Sequence, residues 1–320
     1  MEKINIAVFP CGSEVGIEIQ RAFYGDKKFK LFGLSSVEDH GRFAYAESEY
    51  TSYCGGFPHV KDPVFLGKFL YFVKENDIKL VFPAHDDAIV ELAGLPGGYW
   101  GCKALCPVQW TADICRDKAE TYEMFPSFAP AILRYYDIEW HTSLWPFFAK
   151  PRKGQGSKGT MKIETWEDYQ FAREKRLLLM EYLPGSEYTV DCFTDRHGKL
   201  RFSQTRKRIR VKDGIAVETA PGGPDLTDWA EAISVRLHMR GAWFFQVKED
   251  DTGNPRLLEV APRIAGSSGI WRKCGVNLPK LTAYDALDMD IQINFEPKNI
   301  VMSRTLENVF FEDGKTTYEL

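Results

Sequence analysis

The chain has 320 residues, with 41 Lys and Arg against 45 Asp and Glu, and a formal net charge of −4. Its hydrophobic content of 44% and charged content of 27% are ordinary for globular proteins, which excludes disordered, collagen-like and coiled-coil chains. The slightly acidic balance argues against nucleic acid as a partner, because binding to phosphate backbones needs a basic excess. At roughly 150 residues per domain, the length predicts about two domains, or three small ones.

Cysteine usage and hydropathy indicate the compartment. The seven cysteines are scattered and odd in number, which is typical of reduced thiols rather than of a disulfide framework. No apolar run approaches the ~20 residues that a membrane-spanning helix needs, and the first residues lack the apolar stretch of a signal peptide. We therefore predict a cytoplasmic protein with no membrane partner.

The first hundred residues alternate between strand-like and helix-like patterns. Strands are predicted at 3–9, 30–34 and 79–82, and helices after Ser13, over 62–75 and from about 85 to 93. This alternation predicts a parallel α/β layer over residues 1–108. Ser13 is expected to cap the first helix, and the aspartates of the segment His85-Asp86-Asp87 to cap the last one.

The pattern changes after residue 108. Helices are predicted over 111–124, 165–175 and 226–238, and strands at 146–150, 160–163, 177–182, 187–194, 200–208, 242–248 and 256–260. From about residue 186 these runs predict an α+β region with an antiparallel sheet. Within it, alternation along a strand places Arg206, Arg208 and Arg210 on one face, which meets either solvent or an anionic ligand.

The segment RKGQGSKG at 152–159 has the spacing GxGxxG, which alone admits several interpretations. A Rossmann loop opens directly into a helix, whereas residues 160–163 read here as a returning strand. A protein kinase has HRD and DFG motifs downstream of the loop, and this sequence contains neither. A flexible basic hairpin without any ligand is the third interpretation.

Later segments favour a nucleotide site. Glycines let backbone N–H groups approach phosphate oxygens, and Lys150 and Lys153 would add positive charge. The segment MEYLPG at 180–185 ends a strand at a hinge that can read an adenine edge, and Glu187 can accept hydrogen bonds from ribose. Glu259 ends an apolar strand, where a carboxylate suits Mg²⁺ bound together with a triphosphate.

In this order, the segments AKPRKGQGSKG, LLMEYLPGSEYTVD, GAWFFQVKED and LLEVAPRIAGSSG resemble those of ATP-grasp enzymes. The likeness is to the synthetase halves of the carbamoyl phosphate synthetase large subunit and to amino-acid ligases of that branch. It extends over the segment PAHDDAIVELA and reaches about residue 290. It implies a Rossmann-like α/β pre-ATP-grasp domain at residues 1–108, followed by an α+β ATP-grasp fold of two lobes. The small lobe with the glycine-rich lid would span 109–185, and the large lobe with the metal and substrate site 186–320.

The resemblance also implies a role for each matching residue. Phosphate-binding bases are Lys118 and Lys150, the lid residues are Gly154, Gly156, Ser157 and Gly159, the adenine hinge is Glu181, Tyr182 and Leu183, and the ribose residue is Glu187. The metal ligands are Gln246 and Glu259, and the catalytic pair is Lys150 and Arg263. Substrate contacts are expected at Arg263, at Arg210, and at Ser267 and Ser268, which precede a helix start whose N–H groups suit anions.

One position departs from the family pattern. Where the family usually has Asn two residues after the metal-binding Glu, this chain has Ala261, and Gln246 is neutral where many relatives have Asp. The resemblance implies an ATP-dependent carboxylate–amine ligase that uses ATP with Mg²⁺ or Mn²⁺, forms an acyl phosphate, and releases ADP and phosphate. Its partners would be small-molecule carboxylates and amines, and apolar surface on the first domain would support a homodimer. Two alternatives stay open: a non-catalytic ATP-binding or regulatory protein, suggested by Ala261, and a small-molecule kinase on the same fold.

Overall fold

The computed structural model describes residues 3–95, 101–135, 145–305, 309–312 and 315–318. The helices are α1 (Glu14–Phe23), α2 (Gly41–Ala44), α3 (Phe65–Glu75), α4 (Asp86–Ala93), α5 (Gln109–Arg116), α6 (Lys118–Met124), α7 (Trp166–Glu174), α8 (Thr227–Arg236), α9 (Gly269–Lys273) and α10 (Leu278–Ala286). The strands are β1 (Ile4–Phe9), β2 (Phe29–Leu34), β3 (Thr51–Cys54), β4 (Ile78–Pro83), β5 (Lys103–Ala104), β6 (Ile132–Leu133), β7 (Phe147–Lys150), β8 (Met161–Ile163), β9 (Leu178–Glu181), β10 (Glu187–Thr194), β11 (Leu200–Lys212), β12 (Ile215–Pro221), β13 (Gly241–Glu249), β14 (Pro255–Ala261), β15 (Met302–Ser303), β16 (Val309–Glu312) and β17 (Lys315–Tyr318).

The N-terminal region is a five-stranded parallel sheet in the order β3-β2-β1-β4-β5. Both faces of the sheet are covered, which explains why its central strand β1 is apolar apart from Asn5. Helix α1 packs on one face, and α3 and α4 pack on the other. The predicted Ser13 cap is confirmed, since Ser13 Oγ accepts a hydrogen bond from Gly16 N at 3.0 Å. Strand β3 was not predicted, because its half-buried residues form no apolar run.

Two helix predictions need correction. The single helix expected over 111–124 is two helices, which meet at Asp117, where the backbone is extended. The Asp117 carboxylate accepts a hydrogen bond from Ala119 N at 3.0 Å, and such a local bond favours starting a new helix over continuing the old one. At α4 the cap is His85, whose Nδ1 accepts from Asp87 N, and the aspartates pair instead with arginines described below.

The rest of the described chain builds two large antiparallel sheets and a small two-stranded one, β16-β17. A four-stranded sheet has the order β6-β9-β7-β8, and a six-stranded sheet has the order β14-β13-β10-β11-β12-β15. Strand β11 is longer than predicted, and it turns at Asp213-Gly214 into β12, which the sequence pattern did not reveal. The apolar face of the six-stranded sheet packs against α8 and against α5 and α6, so these two helices lie on β14 rather than on the four-stranded sheet. The opposite face carries polar side chains.

One continuous core joins the parallel layer to the six-stranded sheet and to α9 and α10. Phe23 and Phe29 from the parallel layer share it with Trp271 and Leu281 near α9 and α10, and with Phe202 of the six-stranded sheet. The parallel layer is thereby held against the polar face of the six-stranded sheet, because Phe202 lies on the same side of β11 as Arg206 and Arg208. No helix in the part of the chain that the structure describes is long and apolar enough to cross a membrane.

Candidate functional site

A cleft of about 150 Å³ lies between the four-stranded sheet and the polar face of the six-stranded sheet. It brings together residues that are far apart in the sequence but were predicted to share one nucleotide and metal site. They are Lys118, Lys150, Gly154, Gly156, Ser157, Glu181, Tyr182, Leu183, Glu187, Gln246 and Glu259. Five predicted residues do not line this cleft: Gly159, Arg210, Arg263, Ser267 and Ser268.

Lys150 ends β7 deep in the cleft and is 6% exposed. Its Nζ donates to Tyr122 Oη at 2.6 Å and to the Leu258 carbonyl at 3.3 Å. Burial and the neighbouring Lys118 ammonium lower the pKa of Lys150 to about 7, against the opposite effect of Glu259 and Glu187. A buried amine with a lowered pKa can take up a proton when an anion binds beside it.

The glycine-rich segment covers one side of the cleft and is held by several contacts. Lys118 Nζ donates to the Gly154 carbonyl at 3.0 Å, and Lys118 N donates to the Arg152 carbonyl at 3.0 Å. Gly156 lies against Gly214, the turn between β11 and β12, so closely that a Cβ on residue 214 would be 2.5 Å from the Gly156 backbone. The segment therefore rests on the hairpin turn, and β7 and β8 on either side of it pair as predicted.

The predicted hinge lies where the chain crosses from one sheet to the other. The Glu181 carboxylate accepts a hydrogen bond from Ala131 N at 2.7 Å and is thus occupied in holding β9 to the segment before β6. Leu183 is buried, and the Lys162 ammonium lies 4.9 Å from the centre of the Tyr182 ring. Beyond the hinge, Glu249 stabilises the segment that connects the two sheets. Its carboxylate accepts hydrogen bonds from Ser186 N at 3.0 Å and from Tyr188 Oη at 2.9 Å.

Three arginines of strand β11 lie in different environments: Arg206, Arg208 and Arg210. Arg208 lines the cleft, with Nε 2.7 Å from a Glu187 carboxylate oxygen and Nη2 donating to the Gly214 carbonyl at 2.8 Å. Arg206 is fully buried in an ion pair with Asp191 at 2.6 Å. Arg210 is 60% exposed and 3.8 Å from Glu218, and the pairing with β12 shifts register between Arg208 and Arg210. The alternation along the strand already indicated Arg208 as a candidate, but a bulge is not visible in the sequence.

Gln246 and Glu259 face each other across β13 and β14. Lys118 Nζ lies 4.0 Å from Glu259, so a cation site and a phosphate-binding base would be neighbours. Among the described residues, no group of three or more His, Cys, Asp or Glu side chains could hold a metal ion. The protein thus offers two oxygen donors here, which fits a Mg²⁺ ion that takes its other ligands from phosphates and water.

Arg263 follows β14, and its guanidinium lies outside the cleft lining. Its Nε is 2.5 Å from Asp86 Oδ1, and its Cζ lies 5.2 Å from the centre of the Phe244 ring. Ser267 and Ser268 are buried just before α9, where Ser267 Oγ donates to the Ala216 carbonyl at 3.4 Å. Ser268 Oγ has no hydrogen-bond partner among the residues that the structure describes.

Comparison with known proteins gives a family match over part of the chain. Residues 173–309 match a family model described as an ATP-grasp in the biosynthetic pathway with Ter operon. No curated protein matches the chain in sequence.

Solved structures match nearly the whole chain. N5-carboxyaminoimidazole synthetase from Staphylococcus aureus, complexed with ADP, has a TM-score of 0.75 at 16% identity, over 95% of this chain and 83% of that one. Biotin carboxylase from Campylobacter jejuni, in a β,γ-ATP complex, has a TM-score of 0.71 at 12% identity, over 92% and 74%. L-amino acid ligase from Bacillus licheniformis has a TM-score of 0.67 at 16% identity, over 90% and 75%. At these identities the likeness shows the fold, and the predicted architecture is confirmed: a parallel N-terminal region followed by a two-lobed ATP-grasp region.

Proposed function

We propose that this chain, a member of the ATP-grasp superfamily, is an ATP-dependent carboxylate–amine ligase that works through an acyl phosphate and releases ADP and phosphate. The observation that carries the proposal is the single cleft in which buried Lys150, the lid and the Gln246–Glu259 pair meet. Structures of the same fold are named as a synthetase, a carboxylase and a ligase, and one holds ADP, which supports the same class of chemistry.

The nucleotide would lie along the cleft from the hinge to the lid. Backbone groups at Tyr182 and Leu183 would meet the adenine, since the Glu181 carboxylate is occupied elsewhere. Glu187, held by Arg208, would accept hydrogen bonds from the ribose hydroxyls. The triphosphate would then lie beneath the lid, near Lys118 and Lys150.

Mg²⁺, when bound between Gln246 and Glu259, would neutralise charge on the phosphate oxygens. The protein's own part is to supply two oxygen donors, one of them charged, on adjacent strands. Lys118 would move from the Gly154 carbonyl toward the phosphates, and Lys150 would stay fixed by Tyr122.

In the proposed reaction a substrate carboxylate attacks the γ-phosphorus, ADP leaves, and an amine then displaces phosphate from the acyl phosphate. Lys150 and Arg263 would stabilise negative charge on the transferred group, which is most of what phosphoryl transfer requires of a protein. The closed lid would exclude water, which would otherwise hydrolyse the acyl phosphate. Ser267 and Ser268 would contact the carboxylate substrate from the loop before α9.

The test is a screen of carboxylates paired with amines in the presence of Mg²⁺ and ATP, with ADP, AMP and phosphate resolved. Hydroxylamine in place of the amine should trap the acyl phosphate as a hydroxamate. The proposal requires ADP and phosphate, formed only when both substrates are present, and requires Lys150→Met to lose ATP binding. AMP with pyrophosphate would exclude the proposed reaction, and a stable phosphorylated substrate would identify a kinase instead.

A second candidate is a non-catalytic ATP-binding protein, and the observation that favours it is Ala261. This residue is buried opposite Phe244, and because its side chain is a methyl group it offers no oxygen to a metal ion. Such a protein would bind ATP tightly without turnover across the whole screen. Activity that appears only in Ala261→Asn would then support this second candidate.

A further inference from the structure

The segment at the N-terminus of α4 contacts the candidate site although it belongs to the parallel N-terminal layer. Its three consecutive residues are His85, Asp86 and Asp87, and each contacts a different group. A cap and first turn of this kind need no such partners, since the helix is already capped by His85 Nδ1.

Asp86 determines where Arg263 points. The two side chains form an ion pair at 2.5 Å, and both are largely buried. Burial opposes ionisation of Asp86, but the Arg263 guanidinium outweighs it and keeps the pKa of the carboxyl below its usual value. Arg263 is thus held between this charged carboxylate and the Phe244 ring.

His85 contacts the lid directly, and Asp87 is connected to it through Arg116. Asp87 accepts two hydrogen bonds from Arg116, at 2.7 and 3.1 Å, and Arg116 Nη1 donates in turn to the Gly154 carbonyl at 3.4 Å. The His85 ring is hydrogen-bonded to the Gln155 carboxamide in the lid. Two neighbouring lid residues are therefore connected to the start of α4.

We propose that the segment His85–Asp87 is a positioning element for phosphoryl transfer, which latches the closed lid through Gln155 and aims Arg263 through Asp86. The inference rests on the proposed function and extends it to the N-terminal layer. Because a helix end is rigid, it would hold the closed lid and Arg263 at fixed positions relative to each other. Both would then be in place before the substrate phosphate binds. None of the three residues needs to touch the substrate.

The first experiment measures the latch by trypsin cleavage of the lid, where Lys153 and Lys158 are exposed. Mg·ADP should slow this cleavage in the unmodified protein. His85→Ala and Gln155→Ala should each reduce the protection by about three- to tenfold, the effect of one lost hydrogen bond. The double variant should lose no more than either single one, because the two residues share one contact.

The second experiment tests whether Asp86 orients Arg263, by steady-state kinetics with a substrate pair from the screen. Asp86→Asn should lower kcat by about tenfold or more and leave the KM for ATP within about threefold, since only transition-state stabilisation is lost. The matched control is Asp26→Asn. Asp26 lies in the same N-terminal layer and pairs with Lys280 of α10 at 2.8 Å, away from the cleft, so kcat should not change.

The outcomes separate the two proposals. If Mg·ADP protects the lid fully in both His85→Ala and Gln155→Ala, the proposed contact between His85 and the lid has no role in closing it. If kcat falls equally in Asp26→Asn and Asp86→Asn, Asp86 acts only by attaching the N-terminal layer to the rest of the protein and does not position Arg263. If Mg·ADP does not slow trypsin cleavage of the lid even in the unmodified protein, the proposed nucleotide site itself is wrong. The lid experiment needs nucleotide binding alone, so it decides the latch whether or not the screen finds a substrate pair.

Discussion

Lys150 is a buried side chain through which the proposed nucleotide binding would depend on pH. Its ammonium is enclosed by Tyr122 and the Leu258 carbonyl, so hydration is replaced by two hydrogen bonds, and its pKa falls to about 7. Phosphate groups close to Lys150 would favour the protonated form and raise the pKa again. Binding of an anion should therefore be accompanied by proton uptake wherever the free protein has lost that proton.

We predict that Mg·ADP binds more weakly as the pH rises above about 7. Below that value Lys150 is already protonated, so affinity gains nothing further. Above it, each bound nucleotide must recruit a proton, and the association constant should fall by up to about tenfold per pH unit. Titration calorimetry at pH 7, 8 and 9 measures this slope. Lys150→Arg keeps its charge at every pH, so a slope that persists in this variant would assign the titration to another group.

The different environments of Arg208 and Arg210 could not be predicted from the residues around them in the sequence. Both lie on one predicted strand and have the same chemistry, yet Arg208 is bound to Glu187 in the cleft and Arg210 is mostly exposed. The pairing with β12 shifts register between them, and the neighbours of Arg210, Ile209 and Val211, are exposed as well. The structure therefore favours Arg208 over Arg210 as the basic side chain of this strand that contacts a ligand.

At the scale of elements, the lid depends on the hairpin between β11 and β12. Gly214 has a φ of +75° and its Cα faces the Gly156 backbone, so any side chain at 214 would displace the lid. The hairpin turn between β13 and β14 offers a comparison, since Gly253 has a φ of +84° and an added Cβ would meet nothing within 4 Å.

We predict that Gly214→Ala impairs the lid and that Gly253→Ala does not. Both substitutions place Cβ in the left-handed region, so each should lower the free energy of unfolding by about 1–2 kcal/mol. Only Gly214→Ala should also weaken Mg·ADP binding, by about tenfold, because the lid can no longer rest on the turn. Urea unfolding and calorimetry measure the two effects. Equal nucleotide affinity in the two variants would mean that the lid closes without this contact.

At the scale of the whole molecule, the parallel layer and the six-stranded sheet share one core. Trp271 is fully buried in it, packs edge-on to Phe202, and donates from Nε1 to Asp191 at 2.8 Å. Phe23 and Phe29 of the parallel layer belong to the same cluster. The two regions should therefore unfold together rather than as independent units.

We predict that Trp271→Ala lowers the free energy of unfolding by about 3–5 kcal/mol, because it leaves a large cavity and removes a hydrogen bond from buried Asp191. Hydrogen exchange should accelerate in β1 and in β10 alike. The control is Trp110→Ala, a change at a side chain that is 47% exposed, which should cost about 0.5 kcal/mol or less. Faster exchange confined to β10 and β11 would show instead that the two regions unfold separately.

Local sequence patterns were sufficient for much of this protein. Alternation and apolar runs place most of the strands, Ser13 marks the start of α1, and the lid, hinge and Glu259 follow from short motifs in a particular order. These features depend on residues near each other in the chain, where backbone preferences and side-chain periodicity act directly.

Contacts between distant residues settle the rest. The break at Asp117, the shift at Arg210, and the pairing of Asp86 with Arg263 each depend on partners that no local pattern specifies. Asp86 and Arg263 are 177 residues apart, and they meet because a shared core presses the parallel layer against the sheet. Motif order was therefore enough to predict which residues gather in the cleft, but the contacts that the N-terminal layer makes beside it follow from packing, because packing sums weak attractions over the whole chain.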